Sequence, residues 1–169
     1  MKIFLEEQRF AQLWLHIVLI VSFMIPLIMI TIELLQVNGK NNEAQVSLFV
    51  LVGAFIFIYG IILSMKLTFR IDENGIYYRF IPFHFSDRFL PWNEISKAYV
   101  RKYNAIYEYG GWGLRMGFFR KRGSAINVSG NMGLQLELKN GKKLLIGTQK
   151  EAEVERVLKT YQSKVDHEV

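Results

Sequence analysis

The sequence predicts a membrane-anchored α+β protein: a two-helix transmembrane hairpin, then an antiparallel β-barrel or sandwich of about seven strands closed by a C-terminal amphipathic helix. Three observations carry this expectation. Residues 13–35 hold 18 apolar side chains in 23 without a Lys, Arg or Asp, and residues 46–65 hold 16 in 20 with no charge at all. From residue 66 the apolar period falls to two, and turn dipeptides separate the runs. From residue 148 a helical period returns behind a capping signal.

In 169 residues with 51% hydrophobic side chains, the two blocks carry the excess over an ordinary soluble domain. They leave residues 66–169 as the one stretch long enough for a water-exposed domain. That distribution argues against a soluble enzyme, and the absence of cysteine excludes a disulfide scaffold or a cysteine-ligated metal. A bilayer core about 30 Å thick needs ~20 apolar residues in a helix. Both blocks are long enough, and residues 49–62 are apolar on every face, unlike an ordinary soluble helix. The first block exceeds the ~7–15 residues of a signal-peptide core and no small-x-small cleavage site follows it.

The expected boundaries are a cytoplasmic N-terminal segment over 1–12, helices over 13–35 and 46–65, and a short extracytoplasmic loop over 36–45. Lys2, Arg9, Lys66, Arg70 and Arg79 flank one side of the hairpin against Lys40 on the other. The excess of basic residues places the N-terminus and residues 66–169 in the cytoplasm, on a multi-pass protein of the plasma (inner) membrane. Within the helices, His16 beside Trp14 is expected at interfacial depth, Glu33 near the outer end, and Pro26 at a kink. Gly53, Gly60 and Ser64 fall close to one face and are expected to let the first helix approach.

Residues 67–72 alternate as a half-buried strand, and Asn74-Gly75 is expected at the centre of a type I′ turn into a strand over 76–81. Pro82 and Ser86-Asp87 break that run, and Pro91 marks residues 88–92 as an edge piece. Residues 94–103 alternate again. Residues 114–119 and 125–129 flank a basic tip, and 134–139 and 142–147 flank Asn140-Gly141. Thr148 and Glu151 form a capping box. Val154, Val157, Leu158, Tyr161 and Val165 then make the buried stripe of a helix over about 149–164.

This order resembles a family of small bacterial membrane proteins with two N-terminal helices and a pleckstrin-homology (PH)-like domain. The resemblance spans about residues 13 to 163. It is carried by residues 67–80 around Asn74-Gly75, by Leu90-Pro91-Trp92-Asn93-Glu94-Ile95, by Gly110-Gly111-Trp112-Gly113, and by residues 133–138 through Gly147-Thr148-Gln149-Lys150. It implies a fold and a compartment; none of these motifs is catalytic, and it brings no site residue with it.

No arrangement of residues points to catalysis, a metal or a cofactor. His16, His84 and His167 are scattered, and Ser86-Asp87 beside His84 is adjacency in sequence rather than a triad. Glu94 and Glu108 have no fixed separation, and Gly110–Gly113 lacks the Lys-Ser/Thr ending of a phosphate loop. Charge is the feature above background. Residues 66–169 carry 18 Lys and Arg against 11 Asp and Glu. Arg101, Lys102, Arg115, Arg120, Lys121 and Arg122, interleaved with Trp112, Phe118 and Phe119, form the candidate contact for anionic lipid headgroups or a protein partner. Nucleic acid is not expected, because the domain is tethered and no RNA-recognition motif is readable. The expected function is a non-enzymatic membrane-anchored adaptor whose barrel docks a protein partner or another copy of itself. The alternative is an accessory subunit that packs through its hairpin against a larger transport or secretion complex.

Overall fold

A computed structural model of the chain describes residues 3–36, 41–115 and 123–166. The chain forms two compact units: Ala11–Ser64, and Met1–Phe10 together with Met65–Val169.

The first unit is two helices, α1 (Leu13–Gln36) and α2 (Asn42–Ser64), both long and apolar enough to cross a membrane. Asn41 starts α2 by accepting from the amides of Glu43 and Ala44, and its Nδ2 donates to Glu33 Oε1 at 2.7 Å. Aromatic rings make the antiparallel contact: Phe23 stacks on Phe55 at 4.1 Å, and the His16 ring meets the Tyr59 hydroxyl at 3.1 Å. Pro26 lies inside α1 without interrupting it. The glycine face does not meet α1 as expected. A Cβ on Gly53 or Gly60 would touch nothing within 4 Å, and the Ser64 hydroxyl turns back to Ile61 O. Large rings, not small residues, fill the contact, and that spacing leaves the glycine face open. No residue of α1 is buried, and only Ala44 of α2 is. Such continuous apolar surface is not what a water-soluble unit presents.

Among its described residues the second unit contains nine strands: β1 (Phe4–Arg9), β2 (Lys66–Ile71), β3 (Gly75–Ile81), β4 (Arg88–Pro91), β5 (Ile95–Lys102), β6 (Gly113–Arg115), β7 (Ser124–Asn127), β8 (Met132–Leu138) and β9 (Lys143–Gly147). A short helix α3 (Ala105–Tyr109) follows β5, and α4 (Glu151–Asp166) ends the described chain. One sheet runs β1-β2-β3-β4 and is antiparallel throughout; the other runs β5-β8-β9-β7-β6. One core draws on both sheets and on α4, through Phe69, Phe80, Ile95, Leu136, Ile146 and Leu158. The α4 stripe is as expected: Val154, Val157, Leu158 and Tyr161 are buried, and Val165 packs against them.

Four features depart from the expectation. The N-terminal segment is not a free tail: Phe4–Arg9 pairs along its whole length with β2, from Phe4 opposite Ile71 to Arg9 opposite Lys66. The second sheet is not wholly antiparallel, because β9 slots between β7 and β8 and runs parallel to β7. Alternation fixes which face of a strand is buried, not which strand lies beside it. The first hairpin turns on Glu73-Asn74, not Asn74-Gly75, since Asp72 pairs with Gly75 and its carboxylate accepts from the Asn74 amide at 2.9 Å. Gly75 is needed for another reason. A Cβ there would lie 2.2 Å from Leu90 O, so its missing side chain lets β4 approach.

The fourth departure concerns the α4 cap. The expected box between Thr148 and Glu151 does not form, because the Thr148 amide donates to Met132 O. Glu6 of β1 instead holds the turn that precedes α4. Its buried carboxylate accepts from the Thr148 hydroxyl (2.6 Å), the Gln149 amide (2.8 Å) and Gln8 Nε2 (3.0 Å). Gln8 Nε2 also donates to Gly147 O at 2.8 Å. The N-terminal strand therefore latches the start of α4. Glu6→Ala leaves these donors short of their acceptor and should cost about 3 kcal/mol. Glu7→Ala, which loses only an exposed ion pair with Lys66, should barely move the midpoint. Thermal melts in detergent, followed by near-ultraviolet circular dichroism, compare the two. Equal shifts would refute the latch.

Candidate functional site

Beyond β5 the sequence Asn104-Ala-Ile-Tyr-Glu108-Tyr-Gly110 builds a five-residue helix closed at both ends. Asn104 Oδ1 accepts from the Ile106 and Tyr107 amides, and Glu108 Oε1 accepts from the Asn104 amide at 2.9 Å. Gly110 adopts φ 78°, and its amide and that of Gly111 close the last turn on Ile106 O and Ala105 O. Arg101 fastens this helix to the sheet. Its guanidinium lies 2.9 Å from Glu108 Oε2, donates to the Tyr109 hydroxyl at 3.0 Å, and donates to Gln135 Oε1 at 3.1 Å.

Beside α3 opens a cleft of about 530 Å³, with Lys102, Tyr103, Asn104, Ile106, Trp112 and Asn131 among its lining residues. Tyr103 and Tyr109 are buried beneath it with Ala125 and Leu145. Burial pushes the Tyr103 phenol above its ordinary range. At the rim Ile106 is 59% exposed, and its neighbour Tyr107, outside the cleft, is 86% exposed. An apolar pair beside a cleft lined with amides suits a peptide segment or a protein side chain.

The residues singled out from the sequence divide among several places. Lys102 and Trp112 both line the cleft. Trp112 is half-buried against the Tyr103–Tyr109 cluster, so it does not protrude as an interfacial anchor; the apolar cluster under α3 claims its ring. Arg101 is not a solvent-facing cation either, because Glu108 and Tyr109 hold it. Arg115 is exposed at the end of β6, its guanidinium lying across Gly111. Phe118, Phe119, Arg120, Lys121 and Arg122 lie outside the described residues.

Sequence reasoning missed α3, whose signal was present: Asn104 and Glu108 four residues apart, then Gly110. It also missed Asn131, which reaches the cleft only because the Tyr103 amide donates to Asn131 O at 2.8 Å. Among the described residues, no cluster of three or more His, Cys, Asp or Glu side chains could hold a metal ion. Comparison with protein-family models, with curated proteins and with solved structures returns no match.

Proposed function

We propose that the chain is a non-enzymatic adaptor of the plasma membrane, anchored by the α1–α2 hairpin and docking a protein partner or a second copy through the α3 cleft. The observation that carries this reading is the pairing of Arg9 with Lys66. The chain leaves for α1 just after Arg9 and returns from α2 just before Lys66. If the helices cross a bilayer, both ends of the hairpin therefore finish in one folded sheet. They must cross in opposite directions, and the domain is held by two short connections rather than one linker. Basic residues at those connections favour the cytoplasmic side. A domain tethered this way stays at the membrane surface, where a weak contact gains from high effective concentration. Two sheets and a terminal helix over one core also suit the PH-like resemblance, although the parallel β7–β9 pair is a departure from an all-antiparallel barrel. Lys102 and Arg115 remain exposed for anionic headgroups or an acidic partner; Arg101 does not.

The accessory-subunit reading keeps one observation of its own, the open Gly53–Gly60 face of α2. Photo-crosslinking in native membranes separates the two. A photoreactive residue at Tyr107 of the full-length protein should yield an adduct of discrete mass, and twice the mass of the chain would identify self-association. No adduct at Tyr107 or Ile106, with a discrete adduct at Gly53 or Gly60, would overturn the cleft reading in favour of the hairpin.

A further inference from the structure

The loop between β3 and β4 exposes two phenylalanines, Phe83 at 54% and Phe85 at 93%. It is a shaped turn. The His84 amide donates to Phe80 O at 2.8 Å, Phe83 stacks parallel on Phe80 at 5.7 Å, and the His84 ring meets Tyr78 edge-on. Arg79 and Asp87, on the two sides of the turn, approach to 3.4 Å. A soluble surface seldom spends two rings on a turn so firmly held.

The register shows where this loop emerges. Ile81, the last residue of β3, is the cross-strand partner of Lys66, and Lys66 is the partner of Arg9. These three residues form the row of the sheet at which the chain departs for α1 and returns from α2. The loop therefore leaves the same end of the sheet as the two helical connections. Around it stand Arg9, Lys66, Arg79 and Arg88, against Glu7, which pairs with Lys66, and Asp87, which pairs with Arg79. Exposed rings ringed by cations match the boundary of an anionic bilayer, where apolar rings sink below the headgroups and basic side chains stay among them.

We propose that residues 82–86 form a third point of membrane contact, with Phe83 and Phe85 inserted into the interface of an anionic bilayer. Together with the two helical connections this makes three attachments at one end of the sheet. The inference rests on the reading that α1 and α2 cross the membrane. It adds a lipid site formed by the folded domain itself, away from the α3 cleft.

The chain has no cysteine, so single cysteines can carry a nitroxide at chosen positions. The full-length protein is reconstituted in phosphatidylethanolamine–phosphatidylglycerol vesicles as Phe85→Cys, Tyr107→Cys and Phe57→Cys. All three side chains are exposed, so labelling should leave the fold intact. Collision with oxygen and with a water-soluble nickel chelate reads depth. The label at 57 should favour oxygen and that at 107 the chelate; the label at 85 should lose chelate accessibility and read a depth between them. Equal chelate accessibility at 85 and 107, with 57 in hydrocarbon, would overturn the loop contact alone. A label at 85 shielded from both reagents would point to a protein contact instead and also overturn it. Chelate accessibility at 57 would overturn the membrane hairpin and the loop contact with it.

Discussion

Residues 66–169 expressed alone should fail to fold cooperatively, whereas the same segment joined to its N-terminal strand should fold without the helices. The missing strand is the edge of the first sheet. It supplies six paired residues, the ring of Phe4 at 5.1 Å from Phe69, and the Glu6 carboxylate that holds Thr148 and Gln149 just before α4. Burial of Phe4 contributes about 2 kcal/mol, and leaving the Thr148 and Gln149 donors without Glu6 costs about 3 kcal/mol more. That sum matches the lower end of the stability of a typical domain, about 5–15 kcal/mol. The truncated chain would also expose β2 as an unpaired apolar edge that invites association. Phe10 and Met65 follow Arg9 and precede Lys66, and both pack on the core. A two-residue Asn-Gly turn between them replaces the hairpin, because this pair suits a tight antiparallel connection. Near-ultraviolet circular dichroism and gel filtration of the two proteins check the expectation. A monomeric 66–169 fragment with the melting midpoint of the joined protein would show that β1 is dispensable.

Replacing Leu158 and Tyr161 together with Asp should abolish the cooperative melt. Both are buried on the inner face of α4, and Tyr161 stacks on Trp92 at 5.6 Å. Trp92 in turn donates its Nε1–H to Asp72 O at 3.0 Å, so this contact ties the helix to the first hairpin. At its far end Lys164 Nζ donates to Glu73 O at 2.6 Å. Two carboxylates placed there without partners must either stay charged in apolar surroundings or take up protons, and the cost is several kcal/mol each. Lys159→Asp on the exposed face of the same helix should change little. The readout is tryptophan emission with Trp14 and Trp112 replaced by Phe, leaving Trp92 alone, which should shift to the red only in the double variant. A wild-type melt in that variant would mean that α4 does not cover the core.

The parts of the fold legible in the sequence are those in which a residue's own neighbours determine its environment. The α4 stripe from Val154 to Tyr161 and the alternation from Leu67 to Ile71 are both local periodicities, and both are found as expected. β1 was illegible for the converse reason. Its inward residues are Phe4, Glu6 and Gln8, so the buried face is mostly polar and alternation of hydrophobicity is absent. Those polar groups are buried only because Gly147, Thr148 and Gln149, some 140 residues away, supply their hydrogen-bond partners. The basic cluster was half legible. Composition found Arg101 and Trp112 but could not show that Glu108, Tyr109 and the α3 core claim them.

By itself the sequence determined two long apolar helices, a strand-rich second half and a helix at the end, because length, periodicity and turn chemistry act over a few residues at a time. Only the tertiary structure decided that the N-terminal segment is a strand of that second half, that β9 lies between β7 and β8, and that Phe83 and Phe85 leave the sheet at the row of Arg9 and Lys66. Each of these is a pairing between distant segments. Such pairings are set by which edges and buried polar groups remain to be satisfied once the local elements have formed, and no single stretch of the chain contains that information.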